Sequence, residues 1–192
     1  GLGDVYKRQI DNDLPQTNAL VISGVYDAHP SGAGPKGIEV YALQDIADLS
    51  VFGLGSANNG AGSDGEETTL PAIPLMAGDC FFVTDDSLDF VNFFGFSPDM
   101  TGDAANINGD DAIELFENGI VIDVFGDINV DGTGEPWDYL DGWAYRNPGT
   151  GPDGSTFNIN NWVFSGTQAL LNVATNNDCL LYTSDAADDG VG

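Results

Sequence analysis

The chain has 192 residues, of which 31 are acidic and only 4 are basic, so its formal net charge is -27 at pH 7. This charge makes contact with a nucleic-acid backbone or an anionic membrane unfavourable, and no apolar run approaches the roughly 20 residues of a membrane span. With 26 glycines, 9 prolines and 42% apolar residues, the composition is that of one β-rich globular domain. We therefore expect neither direct nucleic-acid binding nor membrane insertion.

Both ends of the chain resemble translated sequencing adapters. Residues 1–9 are GLGDVYKRQ and residues 179–188 are CLLYTSDAAD, and each is what one strand of a transposase-type adapter encodes. We therefore expect residues 1–9 and 179–192 to be adapter-derived, and residues 10–178 to be a fragment of a longer natural protein. That interior keeps 27 of the 31 acidic residues against Lys36 and Arg146, an acidity that favours a saline source.

The first half of the chain alternates short apolar segments with Gly, Pro, Asn and Asp clusters, which predicts an all-β sandwich or barrel. The predicted strands are residues 19–26, 37–43, 48–54, 68–73 and 80–84. An exposed loop is expected over residues 55–64. Next, Ser87 is predicted to cap a short helix that ends at Gly95.

A hairpin is the strongest local pattern of the sequence. An Asn-Gly pair at 118–119 lies between two alternating apolar runs, which is typical of a type I′ turn. A regular two-residue loop would place Leu115 opposite Ile122 and Glu114 opposite Asp123. Like charges that face each other across strands are unfavourable, so we expect this carboxylate pair to be solvated, with a bridging cation as the alternative.

Four aromatic side chains alternate along the next predicted strand, residues 137–146. A period of two places on one face Trp137, Tyr139, Trp143 and Tyr145. In a sandwich such a face belongs to the core or to a packed edge, whereas exposed rings would stack on sugars as in carbohydrate-binding modules. Burial decides between these alternatives. The last strand is predicted at residues 156–164.

The segment between the hairpin and these aromatic residues has the spacing of a calcium loop. Asp127, Asn129 and Asp131 supply oxygens at its first, third and fifth positions, and Glu135 and Asp138 stand at the ninth and twelfth. The last position lacks the usual Glu and no helices flank the loop. The alternative is a turn whose side chains cap their own backbone. Residues 106–111 form a weaker calcium candidate.

The residues contain no phosphate loop with a lysine, no Cys/His cluster and no serine-centred elbow. Stabilisation of developing negative charge in a hydrolytic reaction would have to come from a metal. We therefore predict no catalytic residues in this fragment.

Several of these blocks together resemble the lamin-tail domain family: LVIS at 20–23, GIEVY at 37–41, DLS at 48–50, GDDAIEL at 109–115 and the Asn-Gly hairpin. The block at 127–146 is similar to the branch that accompanies extracellular endonucleases in aquatic bacteria. The resemblance covers about residues 19–172 and implies an immunoglobulin-like β-sandwich.

The resemblance also implies a function. It indicates a non-catalytic accessory or adhesion module of a secreted, extracellular bacterial protein, with a nuclease as the expected parent. The partners would be adjacent domains of the parent chain and a polysaccharide or cell-surface ligand. A calcium-dependent carbohydrate-binding module is the alternative, and a self-contained hydrolase is the third.

Overall fold

A computed structural model describes residues 16–28 and 34–175, which form ten strands and one α-helix. In chain order the strands are β1 (Leu20–Asp27), β2 (Lys36–Ala42), β3 (Phe52–Ala57), β4 (Thr68–Thr69), β5 (Cys80–Thr84), β6 (Met100–Thr101), β7 (Ala112–Glu117), β8 (Ile120–Phe125), β9 (Trp143–Arg146) and β10 (Trp162–Phe164). The helix α1 (Ser87–Phe94) follows β5. The adapter prediction for residues 1–9 and 179–192 falls outside the described residues.

The strands form two sheets, one with the order β10-β9-β1-β2-β5-β6 and one with the order β4-β3-β7-β8. Both sheets contribute to one apolar core, which includes Ile38 and Val40 of β2 and Leu54, Leu115 and Phe125 of the smaller sheet. Full burial of such a side chain contributes about 1.5 to 3 kcal/mol. The all-β prediction is therefore confirmed.

The predicted strand at residues 48–54 does not begin where the sequence pattern placed it. The segment opens with a 3-10 turn, Leu49–Val51, and Asp48 caps this turn by accepting a hydrogen bond from the Ser50 amide at 3.0 Å. A short acidic side chain before the turn competes with the extended conformation. The strand β3 therefore starts only at Phe52.

The strand β3 also continues further than predicted. Its residues 55–57 are buried, so the exposed loop predicted for residues 55–64 begins only after them. The next strand, β4, has two residues instead of the predicted six at 68–73. Pro71 lies just after β4 and has no amide proton to donate to a sheet ladder.

The predicted helix is present as α1, but its cap lies one residue earlier than predicted. Asp86 rather than Ser87 caps the helix, because its side chain accepts hydrogen bonds from the amides of Leu88 and Asp89. A carboxylate at this position also interacts favourably with the helix dipole. Gly95 ends the helix with a positive φ of 81°, as predicted.

The hairpin is confirmed, and its turn has the predicted chemistry. Asn118 and Gly119 join β7 to β8 with φ values of 52° and 76°. Positive φ at both central positions is what a type I′ turn requires. Nothing lies within 4 Å of a Cβ built on Gly119, so its backbone conformation alone favours glycine there.

The register of the hairpin differs from the prediction. A β-bulge directly after Leu115 shifts the pairing by one residue, so Leu115 lies opposite Asp123 rather than Ile122. Glu114 then lies opposite Val124, and the predicted Glu114–Asp123 pair is wrong. The bulge brings Asp123 into the interior, where its side chain is fully buried.

The predicted strand at residues 137–146 is also too long. Only its last four residues form β9, because a turn with Asp141 at a φ of 50° precedes them. The final predicted strand, residues 156–164, is likewise shorter. A 3-10 turn, Ile159–Asn161, precedes the three residues of β10.

Candidate functional site

In the 127–138 loop, three carboxylates accept hydrogen bonds from backbone amides of the same loop. Asp127 accepts from Asn129 at 2.9 Å, Asp131 from Thr133 at 3.0 Å, and Asp138 from Gly134 at 2.7 Å. The hydrogen bonds from Thr133 lower the pKa of Asp131 below its ordinary value. These contacts are those of side chains that cap their own turn.

The two other predicted ligands of the loop lie at the surface. Glu135 is exposed, and Asn129 is also exposed. Across residues 16–28 and 34–175, no group of three or more His, Cys, Asp or Glu side chains is arranged to hold a metal ion. Calcium binding by this loop therefore stays a prediction.

The two calcium candidates nevertheless touch each other. The Thr133 hydroxyl donates a 2.8 Å hydrogen bond to Oδ2 of Asp110, which belongs to the weaker candidate at residues 106–111. The other carboxylate oxygen of Asp110 is buried and has no hydrogen-bond partner. This contact could not be read from the sequence, because 23 residues separate Thr133 from Asp110.

The four aromatic residues that were predicted to bind a ligand do not share a face. Trp137 and Tyr139 are buried in the core, where both rings contact Phe125 edge to face. Trp143 and Tyr145 lie on the opposite side of β9, half-buried and stacked with their ring centroids 5.1 Å apart. The prediction of one aromatic face is therefore wrong. Its physical reason is the turn at Asp141, which breaks the alternation.

The inward side of β9 carries a buried ion-pair network. The guanidinium of Arg146 donates to both carboxylate oxygens of Asp123, at 2.7 and 2.8 Å, and to Asp153 at 2.6 Å. Its Nε donates to the carbonyl of Ile22 at 2.7 Å, and the guanidinium lies 4.5 Å from the ring centroid of Trp162. The Arg146 side chain therefore contacts two carboxylates, one backbone carbonyl and one aromatic ring.

The carboxylate of Asp123 is also held by the backbone. The amides of Ile22 and Asp153 each donate to it at 2.9 Å. Burial raises the pKa of Asp123, while Arg146 and these two amides oppose the rise. The network therefore neutralises a buried charge and ties β8 to β1 and β9. This is a structural role.

The outward side of β9 borders a groove instead. Strand pairing places Glu39, Gly24 and Tyr145 in one row across β2, β1 and β9. The row lies on the outer face of the sheet, because the neighbouring side chains of Ile38 and Val40 point into the core. Glu39 and Tyr145 line the groove, and Gly24 between them has no side chain.

The groove is a half-open cavity of about 180 Å³. For comparison, an engineered apolar cavity of about 150 Å³ accommodates benzene. Residues 146–150 close one side of the groove, and its remaining walls are Val21, Ser23, Glu39, Tyr41, Leu43 and Tyr145. It can therefore accept one ring or one extended side chain.

Glu39 is the acidic group of this groove, and sequence reasoning missed it as a site residue. Its exposed fraction is only 6%, and the Ser23 hydroxyl donates a 2.6 Å hydrogen bond to its Oε1. One sequence signal could have indicated it: Glu39 is a charged residue between the apolar Ile38 and Val40, so it faces outward from the predicted strand. Of the residues that the sequence predicted for a metal or ligand site, only Tyr145 lines this groove.

No protein-family model, curated protein or solved structure matches the chain significantly. A separate finding concerns membranes: within the described ranges, no helix has the length and apolar character needed to cross one.

Proposed function

We propose that this domain is a non-catalytic accessory or adhesion module of a secreted bacterial protein, with an extracellular nuclease as the parent. The observation that carries the proposal is the groove on the outer face of the six-stranded sheet. A concave site with mainly apolar walls and a few polar groups is the usual form of a ligand-binding site. Six of its lining residues lie on β1, β2 and β9, and strand pairing holds their side chains in fixed positions.

The immunoglobulin-like, lamin-tail identity is part of this proposal. It is supported by the positions of the blocks that carry the resemblance: LVIS lies in β1, GIEVY in β2, and the Asn-Gly pair joins β7 to β8. Adjacent domains of the parent chain would then be natural neighbours of the module.

Two experiments test this proposal. Recovery of the flanking coding sequence should show a signal peptide and a nuclease domain on the same polypeptide. Incubation of the purified chain with plasmid DNA and Mg²⁺, Mn²⁺ or Ca²⁺ should give no cleavage. A parent without a secretion signal, or cleavage that an acid-to-alanine change within this chain abolishes, would contradict the proposal.

A calcium-dependent carbohydrate-binding module is the second candidate, and the stacked Trp143–Tyr145 pair favours it. Tyr145 lines the groove, and its partly buried ring, stacked on Trp143, offers a surface on which a sugar ring can stack. A glycan array with and without Ca²⁺ should then give binding that Trp143→Ala and Tyr145→Ala weaken. Unchanged binding in both variants would reject the candidate.

A further inference from the structure

We propose that the side chains of Lys36 and Asn108 join in an intramolecular isopeptide bond. Neither residue lines the groove, and the bond needs no ligand, so this covalent modification goes beyond the proposed function. Its support comes from the contact between the two side chains, from the way the fold holds both residues, and from the place of the pair in the two sheets.

The two side chains are already in contact. Lys36 is the first residue of β2, and its Nζ donates a 3.0 Å hydrogen bond to Oδ1 of Asn108. That oxygen is bonded to Cγ, the carbon atom that an amine attacks when it forms an amide. Reactants held in such proximity gain a large effective concentration, which lowers the barrier to their reaction. The contact therefore places a nucleophile beside an electrophile.

The backbone around Asn108 is held in a fixed position. Its amide donates a 2.9 Å hydrogen bond to Oδ2 of Asp111, a fully buried carboxylate whose Oδ1 accepts from the Asn59 amide at 3.0 Å. The next residue, Gly109, has a φ of 75°, and its carbonyl accepts a 2.7 Å hydrogen bond from the amide of Tyr139. The Asn108 carboxamide therefore extends from a rigid turn.

The backbone of the lysine is held in the same way. The Lys36 amide donates to Oδ1 of Asp85 at 2.9 Å, and its carbonyl accepts a hydrogen bond from the Thr84 hydroxyl at 2.9 Å. Lys36 also lies opposite Asp27 in the neighbouring strand β1. Its side chain is partly buried, so it has fewer conformations than a lysine on an open surface. Both reactants are therefore preorganised by the fold.

The proposed step needs only these two side chains. The neutral amine of Lys36 attacks Cγ of Asn108 with its electron pair, and the new Nζ–Cγ bond replaces the Cγ–Nδ2 bond. The proton that Nζ gives up is transferred to Nδ2 through water, since the contact is exposed to solvent. Nδ2 then leaves as ammonia. An amine and a primary amide thus become one secondary amide and ammonia, with no oxidation, reduction or further reactant.

The bond connects the two sheets of the domain. The strand β2 is central in the six-stranded sheet, whereas Asn108 lies shortly before β7 of the four-stranded sheet. Residues 36 and 108 are 72 positions apart. A cross-link that closes so long a loop restricts the unfolded chain and so stabilises the fold.

The intact mass of the purified full chain tests this proposal. The protein is incubated at mildly alkaline pH, where a larger share of lysine amines is neutral, and its mass is recorded over time. We expect a mass that is lower than the sequence mass by one molecule of ammonia. After digestion with a protease that cleaves at acidic residues, tandem mass spectrometry should find a branched peptide that joins Lys36 to Asn108.

Two variants control the result, because Asn-Gly pairs also lose ammonia when they cyclise to a succinimide. The chain has three such pairs, at 59–60, 108–109 and 118–119. Lys36→Arg leaves all three intact and keeps a positive charge and hydrogen-bond donors, but it should abolish both the mass loss and the branched peptide. Asn118→Asp removes a pair outside the contact and should leave both signals unchanged.

Thermal melts give a second measurement. The cross-linked chain should melt roughly 10 °C above folded Lys36→Arg, as expected for a covalent loop of this length. Circular dichroism verifies the fold, and Asn108→Ala replaces Lys36→Arg if that variant does not fold.

A folded wild-type chain that keeps its full sequence mass would overturn the proposal. A mass loss that persists in Lys36→Arg, without a branched peptide, would assign the ammonia to succinimide formation and would likewise reject the bond.

Discussion

Two buried carboxylates lie on opposite sides of the six-stranded sheet and illustrate two environments for the same chemical group. Asp123 lies between the sheets, where Arg146 and two backbone amides saturate its oxygens. Glu39 lies on the outer face, at the base of an open groove. Burial alone therefore does not distinguish the structural carboxylate of Asp123 from a carboxylate that lines a groove. What distinguishes them is their position: Asp123 faces the core and an arginine, whereas Glu39 accepts a hydrogen bond from the Ser23 hydroxyl and lines a groove on the outer face.

The largest expected effect follows from removal of the internal partner of Asp123. Arg146→Ala leaves a buried carboxylate uncompensated, and we expect a loss of about 3 to 5 kcal/mol in the free energy of unfolding. Urea denaturation followed by circular dichroism measures this loss. The double variant Arg146→Met with Asp123→Leu should retain more stability than Arg146→Ala. A loss below about 1 kcal/mol in Arg146→Ala would contradict a structural role for the network.

The next effect contrasts aromatic residues on the two sides of the fold. Trp137→Ala should destabilise the domain by about 3 kcal/mol, because it opens a cavity beside Phe125 in the core. Trp143→Ala should cost less, since its ring is only partly buried, beside the small apolar cluster of Phe93 and Leu170. Thermal melts of the two variants under identical conditions measure the difference. Equal losses would mean that both rings belong to the core.

The exposed loop at 127–138 provides a third environment for carboxylates and a test of the predicted calcium site. If Ca²⁺ binds Asp127, Asn129 and Asp131 in the folded state alone, a concentration of 100 times Kd adds about 2.7 kcal/mol. The melting temperature should then rise by roughly 5 to 11 °C.

Magnesium at equal ionic strength is the control, because screening of the negative charge also stabilises the fold. An equal rise with both ions, or an unchanged calcium-specific increment in Asp131→Ala, would leave the loop as a turn that caps its own backbone.

The smallest expected effects come from two glycines with different roles. Gly119→Ala forces an L side chain into a φ of 76°, so it should cost about 1 kcal/mol although the space around it is open. Gly24 has no such φ, and an added Cβ would meet only ordinary contacts, so Gly24→Ala should change stability by less than about 0.5 kcal/mol. Chemical denaturation compares the two. A large loss in Gly24→Ala would show that the sheet does not tolerate a side chain between Glu39 and Ala144.

The sequence was sufficient for the features that depend on neighbouring residues. The Asn-Gly turn, the strand β5 and the glycine stop of α1 each follow from a few adjacent residues, and all three are present. The register of the hairpin was not predictable in the same way. The bulge after Leu115 places Asp123 against Arg146, a partner 23 residues away that no local pattern reveals.

The candidate site was also difficult to predict from the sequence, because it depends on contacts between distant residues. The alternation at residues 137–146 suggested one aromatic face, but the positive φ of Asp141 interrupts the strand and separates the rings. The groove combines Glu39 and Tyr145, which are 106 positions apart in the numbering and meet only through the pairing of β2, β1 and β9. Such a site needs the sheet order, which strand patterns do not specify.

The central claim is that the groove, and not the acidic loop or the core network, is the binding site of this domain. Amide chemical shifts measured by two-dimensional NMR during titration with an oligosaccharide that binds on the glycan array test it most directly. The largest shifts should fall on Ser23, Glu39 and Tyr145, which line the groove, while the amides of Asp127 and Asp131 stay unchanged. Shifts centred on the 127–138 loop, or spread evenly over the acidic surface, would contradict it.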